Sequence, residues 1–200
     1  MARFPFERAV GVLLLVLTVI LSLMMIHSPG TVDVMTALKL MEIVYQNGLV
    51  AGYSKVVSGL YHDYPPVSFA ILYIARAFGN AVELSPPMSF KVTILTFQLA
   101  SAGLILLLSG SYWVAAALNA SLLLSGVGLG YMDVCVAPSL IAAFWAFQTR
   151  RNLLGTALYL IAYLTKWQPL IVAPFIGITC SRFRISDPVE MPLVNNCSGS

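Results

Sequence analysis

Four ionisable residues stand where an otherwise apolar sequence breaks: Asp33, Asp63, Asp133 and Lys166. An ionisable group inside or against a bilayer is costly, so such groups serve a site or pair with one another. Lys166 opens the turn Lys166-Trp167-Gln168-Pro169 between two apolar half-spans. Its ammonium either snorkels to the membrane interface beside an interfacial Trp, or meets the phosphate of a lipid. Pro169 breaks the helix there and frees backbone groups to line a pocket. Each acidic residue also has a structural explanation. Asp33 follows Thr31 and can cap a helix, and Asp63 can stabilise the turn Tyr61-His62-Asp63-Tyr64-Pro65-Pro66. Asp133 can pair with Lys166 as a structural ion pair.

Other chemistries lack their residues. The sequence has no Walker A motif, no GxGxxG, no HExxH and no Asp-x-Asp pair, and its two histidines, His27 and His62, are too few for a histidine metal site alone. Cys135, Cys180 and Cys197 show no metal spacing and no CxxC, and read as reduced thiols. No metal site is expected.

The elements that must position these residues follow from composition. Of 200 residues, 59% are hydrophobic and 10% charged, against about 25% charged in a soluble domain. Too little polar surface remains to cover a soluble core, which excludes a soluble enzyme, a disordered regulator and a nucleic-acid binder. The apolar runs are continuous and do not alternate, which excludes an outer-membrane barrel. The expected fold is an all-α membrane protein, a polytopic helical bundle. At about 20 residues per span, 200 residues hold roughly five to seven crossings. The net charge of +3 is too small to imply a polyanionic partner. Membrane lipids, and no nucleic acid, are the expected surroundings.

Along the chain, Arg3 and Arg8 precede the apolar run Val10–Ile26, which lacks an A-x-A-like cleavage site and reads as a retained first span with its basic start in the cytoplasm. Residues 27–66 form a large first extracytoplasmic loop. Within it Val34, Leu38, Met41 and Tyr45 share one helical face and Gly48 is a stop, as in an amphipathic helix lying on the membrane surface. Val67–Val82 reads as a second span with Arg76 near its cytoplasmic end, and Met88–Leu108 as a third with Lys91 near its cytoplasmic start. Trp113–Leu124 is short and ends in the glycine-rich break 125–133. If it crosses, Arg150 and Arg151 fall outside. If it is re-entrant, Arg3, Arg8, Arg76, Lys91, Arg150, Arg151, Arg182 and Arg184 all lie inside, with Asp33, Asp63, Asp133 and Lys166 outside. The re-entrant layout is the expectation. Residues 1–184 form the membrane module and 185–200 a polar tail.

The ordered set "YHDYPPVSFAILY" (61–73), "LGYMD" (129–133), "TRRN" (149–152) and "YLTKWQPLIVAPF" (163–175) resembles the GT-C superfamily of integral membrane glycosyltransferases. Within it, the similarity is to mannosyl- and glucosyltransferase-like proteins that use a polyprenyl- or dolichyl-phosphate sugar. The resemblance covers roughly residues 10–180. It implies transfer of a hexose, such as mannose, from a lipid-linked donor at the outer face. Asp33 takes the place of the early acidic residue, a catalytic base or acceptor-orienting group. Tyr64, with Pro65 and Pro66, takes that of the turn beside the site, Gly130 and Asp133 that of the outer Gly-x-x-Asp-like turn, and Lys166, Gln168 and Pro169 that of the Lys-x-Gln-Pro turn. Lys166 then lies near the donor phosphate, and His62 and Asp63 help hold either substrate. No organic cofactor is implied, and a divalent metal is left open. Family members are usually longer, so the resemblance also implies a fragment or short form, with a membrane subunit as a partner. A secondary transporter and a non-catalytic subunit are the alternatives. Helices broken at charges also mark transporters, but neither an internal repeat nor a short first loop supports that reading.

Overall fold

The computed structural model describes residues 5–57, 64–171, 173 and 174. The chain divides into two compact units, Met1–Pro169 and Leu170–Ser200. In the second unit the described residues are 170, 171, 173 and 174, and they are helical. The regular elements described in the first unit are all helices, joined by short turns. Its helices are α1 (Pro5–Met24), α2 (Val32–Asn47), α3 (Leu49–Val57), α4 (Pro66–Ala81), α5 (Pro86–Ser109), α6 (Tyr112–Leu123), α7 (Ala137–Gln148) and α8 (Asn152–Thr165). A 3₁₀ turn, Met25–His27, ends α1. A π-turn, Leu124–Gly128, ends α6, and a second 3₁₀ turn, Met132–Val136, leads into α7.

Two stretches, Phe6–His27 and Pro86–Ser109, are long and apolar enough to cross a membrane. Helix α1 leaves Leu13, Val16, Leu17, Ile20 and Leu23 exposed, an apolar surface that lipid covers and water penalises. Tyr112–Gly128, Met132–Gln148 and Asn152–Thr165 are apolar but shorter.

Side-chain contacts give the direction of each helix. Lys91 at the start of α5 bonds Ser28 just beyond α1 (3.1 Å), and Gln98 about two turns later donates to Ser22 (2.8 Å). Helices α1 and α5 are therefore antiparallel. Trp113 Nε1 donates to the Glu7 carbonyl at 3.0 Å. At its other end the same segment brings Gly128 against Met25, where a Cβ would lie 2.9 Å from the methionine methyl. So α6 and its π-turn run beside α1 over its whole length and in the same direction. The re-entrant layout expected for the fourth apolar piece is corrected: it does not turn back at mid-depth.

The second apolar piece is corrected as well. Helix α4 begins where Ser68 Oγ donates to the Thr165 carbonyl and ends where Gly79 packs on Ser89, two residues before Lys91. Both of its ends thus lie at the Lys91 end, and α4 forms a layer across that end instead of running along α1 and α5. Lys91 and Arg76, expected on the side opposite Asp33 and Asp133, are found on the same side. The face of α2 expected to lie on a membrane is corrected: Val34 and Met41 are buried together with Ala37, Leu40 and Val44 against α4, α3 and α5, whereas Leu38 and Tyr45 are half-buried. Covering such a stripe contributes about 1.5–3 kcal/mol per large side chain, so it is already satisfied within the protein. Gly48, at φ +80°, ends α2 as its sequence anticipates. Tyr53 on α3 closes the layer edge-on to Phe69, with ring centroids 5.0 Å apart.

On this layer Arg76 donates to Glu42 (3.1 Å) and stacks 5.3 Å from the Tyr45 ring. The Arg76 guanidinium, with help from the Gln46 amide, holds the Glu42 carboxyl below its ordinary range. The folded state then binds fewer protons than the unfolded one in mild acid. The pair's contribution is present above the ordinary Glu range and is lost as pH falls through the lowered value. Glu42→Gln should flatten that acid limb and cost only about 0.2–1 kcal/mol at neutral pH, because the Glu42 side chain is 40% exposed. Thermal unfolding of the detergent-solubilised chain across pH checks both.

Candidate functional site

Three segments far apart in sequence meet at one end of the helices. The first is the start of α4. Pro at the first helical position suits a fixed φ and a missing N–H, and the residue before the Pro-Pro step is Tyr64. The second is the 3₁₀ turn carrying Asp133. The third is the end of α8, where the chain leaves the helix at Lys166 in an extended conformation (φ −156°, ψ 150°). The Ser68 hydroxyl tied to the Thr165 carbonyl clamps the first segment to the third. The result is a cluster in which Lys166 Nζ donates to Asp133 Oδ1 and stands 5.4 Å from the centre of the Tyr64 ring.

The arrangement suits an anion that arrives from outside. The Lys166 side chain is 20% exposed and the Asp133 side chain 50% exposed, so the pair is open to solvent on the carboxylate side. A solvent-exposed ion pair is worth about 0–1 kcal/mol, so exchange of Asp133 for another anion would cost little on its open side. The turn beneath is stiff. Tyr159 OH donates to the Pro169 carbonyl, and Tyr163 packs edge-on to Trp167 at 5.0 Å. Gln168 is exposed on this turn.

Asp33 is exposed in the first turn of α2, where the free N–H groups of the helix start favour its charge. It does not cap the helix. Thr31 holds that position, and its hydroxyl turns away to donate to the Leu129 carbonyl (3.2 Å), which also accepts the Thr31 N–H (3.1 Å). Asp33 is therefore linked to the segment that leads to Asp133. Among the described residues, no hydrogen bond or ion pair joins Asp33 to the Lys166 cluster. His62 and Asp63 lie outside the described residues. Among the described residues, no group of three or more His, Cys, Asp or Glu side chains is placed to hold a metal.

Two features escape a reading by sequence pattern. Lys91 is 3% exposed and donates to Ser28 Oγ and to the carbonyls of Val127 and Gly128. All three ammonium donors are used. A lysine one turn into an apolar helix, with no carboxylate one turn away, is the signal that could have pointed to it. The second is a buried polar layer. Gln98 donates to Ser22 and to Asn119 (3.0 Å), joining α5 to α1 and α6, while Gln98 Oε1 and Asn119 Nδ2 find no hydrogen-bond partner.

The glycines around the break are required by space and conformation. Gly130 has φ +79°, and a Cβ there would lie 2.4 Å from Val34 Cγ2. Gly130→Ala should cost about 1–3 kcal/mol and loosen both α2 and the Asp133 turn. Gly103→Ala, in mid-α5 with open space around it, should be neutral or stabilising by up to about 1 kcal/mol. Unfolding midpoints of the two variants in detergent test the contrast.

No protein-family model matches the chain, and no curated protein or solved structure is similar to it.

Proposed function

We propose that this chain is a GT-C-like membrane glycosyltransferase module that takes a hexose from a polyprenyl-phosphate sugar at the Asp133–Lys166 end. The observation that carries the reading is the convergence of Tyr64, Asp133 and Lys166, from three separate segments, on the end where the helix bearing Asp33 begins. A cation, an exchangeable carboxylate and a second carboxylate on the helix that begins at the same end are the minimum set for displacing a phosphate from a sugar.

In this reading α1 and α5 cross the bilayer, and the π-turn and the 3₁₀ turn extend α6 and α7 so that they and α8 cross too. Five crossings result. Arg8 at the start of α1 and Arg150 and Arg151 at the tip of the α7–α8 hairpin then lie on the cytoplasmic side, as the positive-inside rule asks. The protein is then a multi-pass integral membrane protein. The layer of α2, α3 and α4 lies on the opposite side with the site.

The chemistry is a single displacement. The acceptor hydroxyl attacks the anomeric carbon, and its proton passes to the Asp33 carboxylate. The bond from that carbon to the phosphate oxygen breaks, and the electron pair leaves on the lipid phosphate. Lys166 meets the growing phosphate charge once the phosphate has displaced Asp133. One base carboxylate suffices, and the anomeric centre inverts.

The test uses the full chain in liposomes with a radiolabelled polyprenyl-phosphate hexose and membrane extract as acceptor. Asp33→Asn should cut transfer about 10²–10⁴-fold and leave donor binding intact. Lys166→Met should weaken donor binding and transfer together. Unchanged transfer by Asp33→Asn overturns the role of Asp33. A wild-type chain that neither binds the donor nor transfers the sugar overturns the reading.

A further inference from the structure

We propose that Lys91 is the positioning residue of the site: its buried ammonium holds the segments that present both Asp33 and Asp133. The purpose it serves rests on the function proposed above, but the geometry that carries it does not.

Four observations support this role. First, Lys91 is enclosed at the end where the Asp33 and Asp133 segments meet, and it faces carbonyl and hydroxyl oxygens instead of a carboxylate. A buried ammonium is costly unless every proton is taken, so the surrounding oxygens are held in place as firmly as the lysine is. Second, two of its acceptors, the Val127 and Gly128 carbonyls, belong to the π-turn in which α6 breaks. The carbonyl end of a helix carries partial negative charge, and the lysine neutralises it there. Third, the third acceptor, Ser28 Oγ, itself donates to the Gly128 carbonyl at 2.7 Å, which closes a ring of contacts between the end of α1, the start of α5 and the break in α6. Fourth, Gly30 and Gly130, both in left-handed conformations, pass so close that a Cβ on either would lie 3.4 or 3.5 Å from Nζ.

From this ring two short paths lead to the carboxylates. Gly30 is followed by Thr31, which is bonded twice to Leu129, and two residues later comes Asp33. On the other path the Gly130 and Tyr131 N–H groups are bonded back to Gly126 and Ser125, which fixes the direction in which the chain leaves toward Asp133. Without the ammonium, the Val127 and Gly128 carbonyls and Ser28 Oγ each lose one donor, and the two carbonyls are left with the Ser28 hydroxyl as their side-chain donor. Lys91 touches neither Lys166 nor Asp133, so it acts through the backbone.

The Asp133–Lys166 pair provides the readout and needs no substrate. A carbodiimide joins an ion-paired carboxylate and amine as an amide with no spacer, and peptide mapping detects the 133–166 link. The full chain in detergent is treated with carbodiimide, and the link is measured in the folded, monodisperse fraction together with the unfolding temperature. Lys91→Met keeps the length of the side chain and removes its donors. The expected result is at least a fivefold drop in the 133–166 link. Ser28→Ala removes one member of the ring with less disturbance, and a smaller drop in the same direction is expected, which keeps the test decisive if Lys91→Met does not fold. A cation that only stabilised the helices would lower the unfolding temperature and leave the link in the folded fraction unchanged. That result in either variant overturns the proposal, and so does absence of the link in the wild-type chain. Loss of sugar transfer without loss of the link would count against Lys91 as positioner. A preserved dependence of the link on Lys91 in a chain that binds no lipid-linked sugar would count against the proposed function alone.

Discussion

An ammonium group held among backbone oxygens is the constraint on which the rest of this structure depends. Lys91 lies where α1 ends, α5 begins and α6 breaks, and each of these elements supplies an oxygen or the lysine itself. In an apolar chain the choice at such a point is severe. A charge without partners is expelled or neutralised, and a helix break without partners leaves carbonyls exposed to a medium that cannot solvate them. Here the two problems cancel: the break presents oxygens, and the lysine presents protons. The π-turn is tolerated because it has a cation to face.

What surrounds that point follows from it. The glycines at 30 and 130 adopt left-handed conformations and bring backbone close to the ammonium and to Val34. The start of α2 is thereby tied to the turn after α6, and the stripe of α2 is set down on α4. The layer formed by α2, α3 and α4 is held by ordinary apolar packing, with the Glu42–Arg76 pair on Tyr45 at its edge. Lower down, the Gln98 amide binds α1 and α6 through Ser22 and Asn119. Polar side chains between helices in an apolar setting serve as such ties.

The Lys166 cluster is of a different kind. Its ion pair is open to solvent, and its members are borne by a turn, a helix start and a helix end. Buried Lys91 is saturated and fixed, whereas partly exposed Lys166 is held by one carboxylate and an aromatic face. One end of the protein thus has a structural cation beneath and an available cation above. In the proposed function this division keeps the carboxylates in register while a charged ligand enters.

The sequence by itself determined the helical class, the first and third apolar helices, a helix that stops at Gly48, and the pairing of Asp133 with Lys166 as one of two open readings. These are matters of local pattern: continuous apolar runs, a 3.6-residue stripe, glycine after the last turn, and opposite charges at two helix breaks. It did not determine how the apolar runs lie against one another. Val67–Val82 and Trp113–Leu124 are both short and apolar, and no local property says that the first is a layer and the second a helix running beside α1. The sorting of basic residues to one side failed for Arg76 and Lys91 for the same reason. A rule about charge assumes that each cation faces water, whereas these two find partners, Glu42 and the carbonyls of a broken helix, about 34 and 37 residues away in the chain. Only the tertiary structure brings those partners within reach, because a buried charge is decided by the oxygens around it and not by its neighbours in sequence.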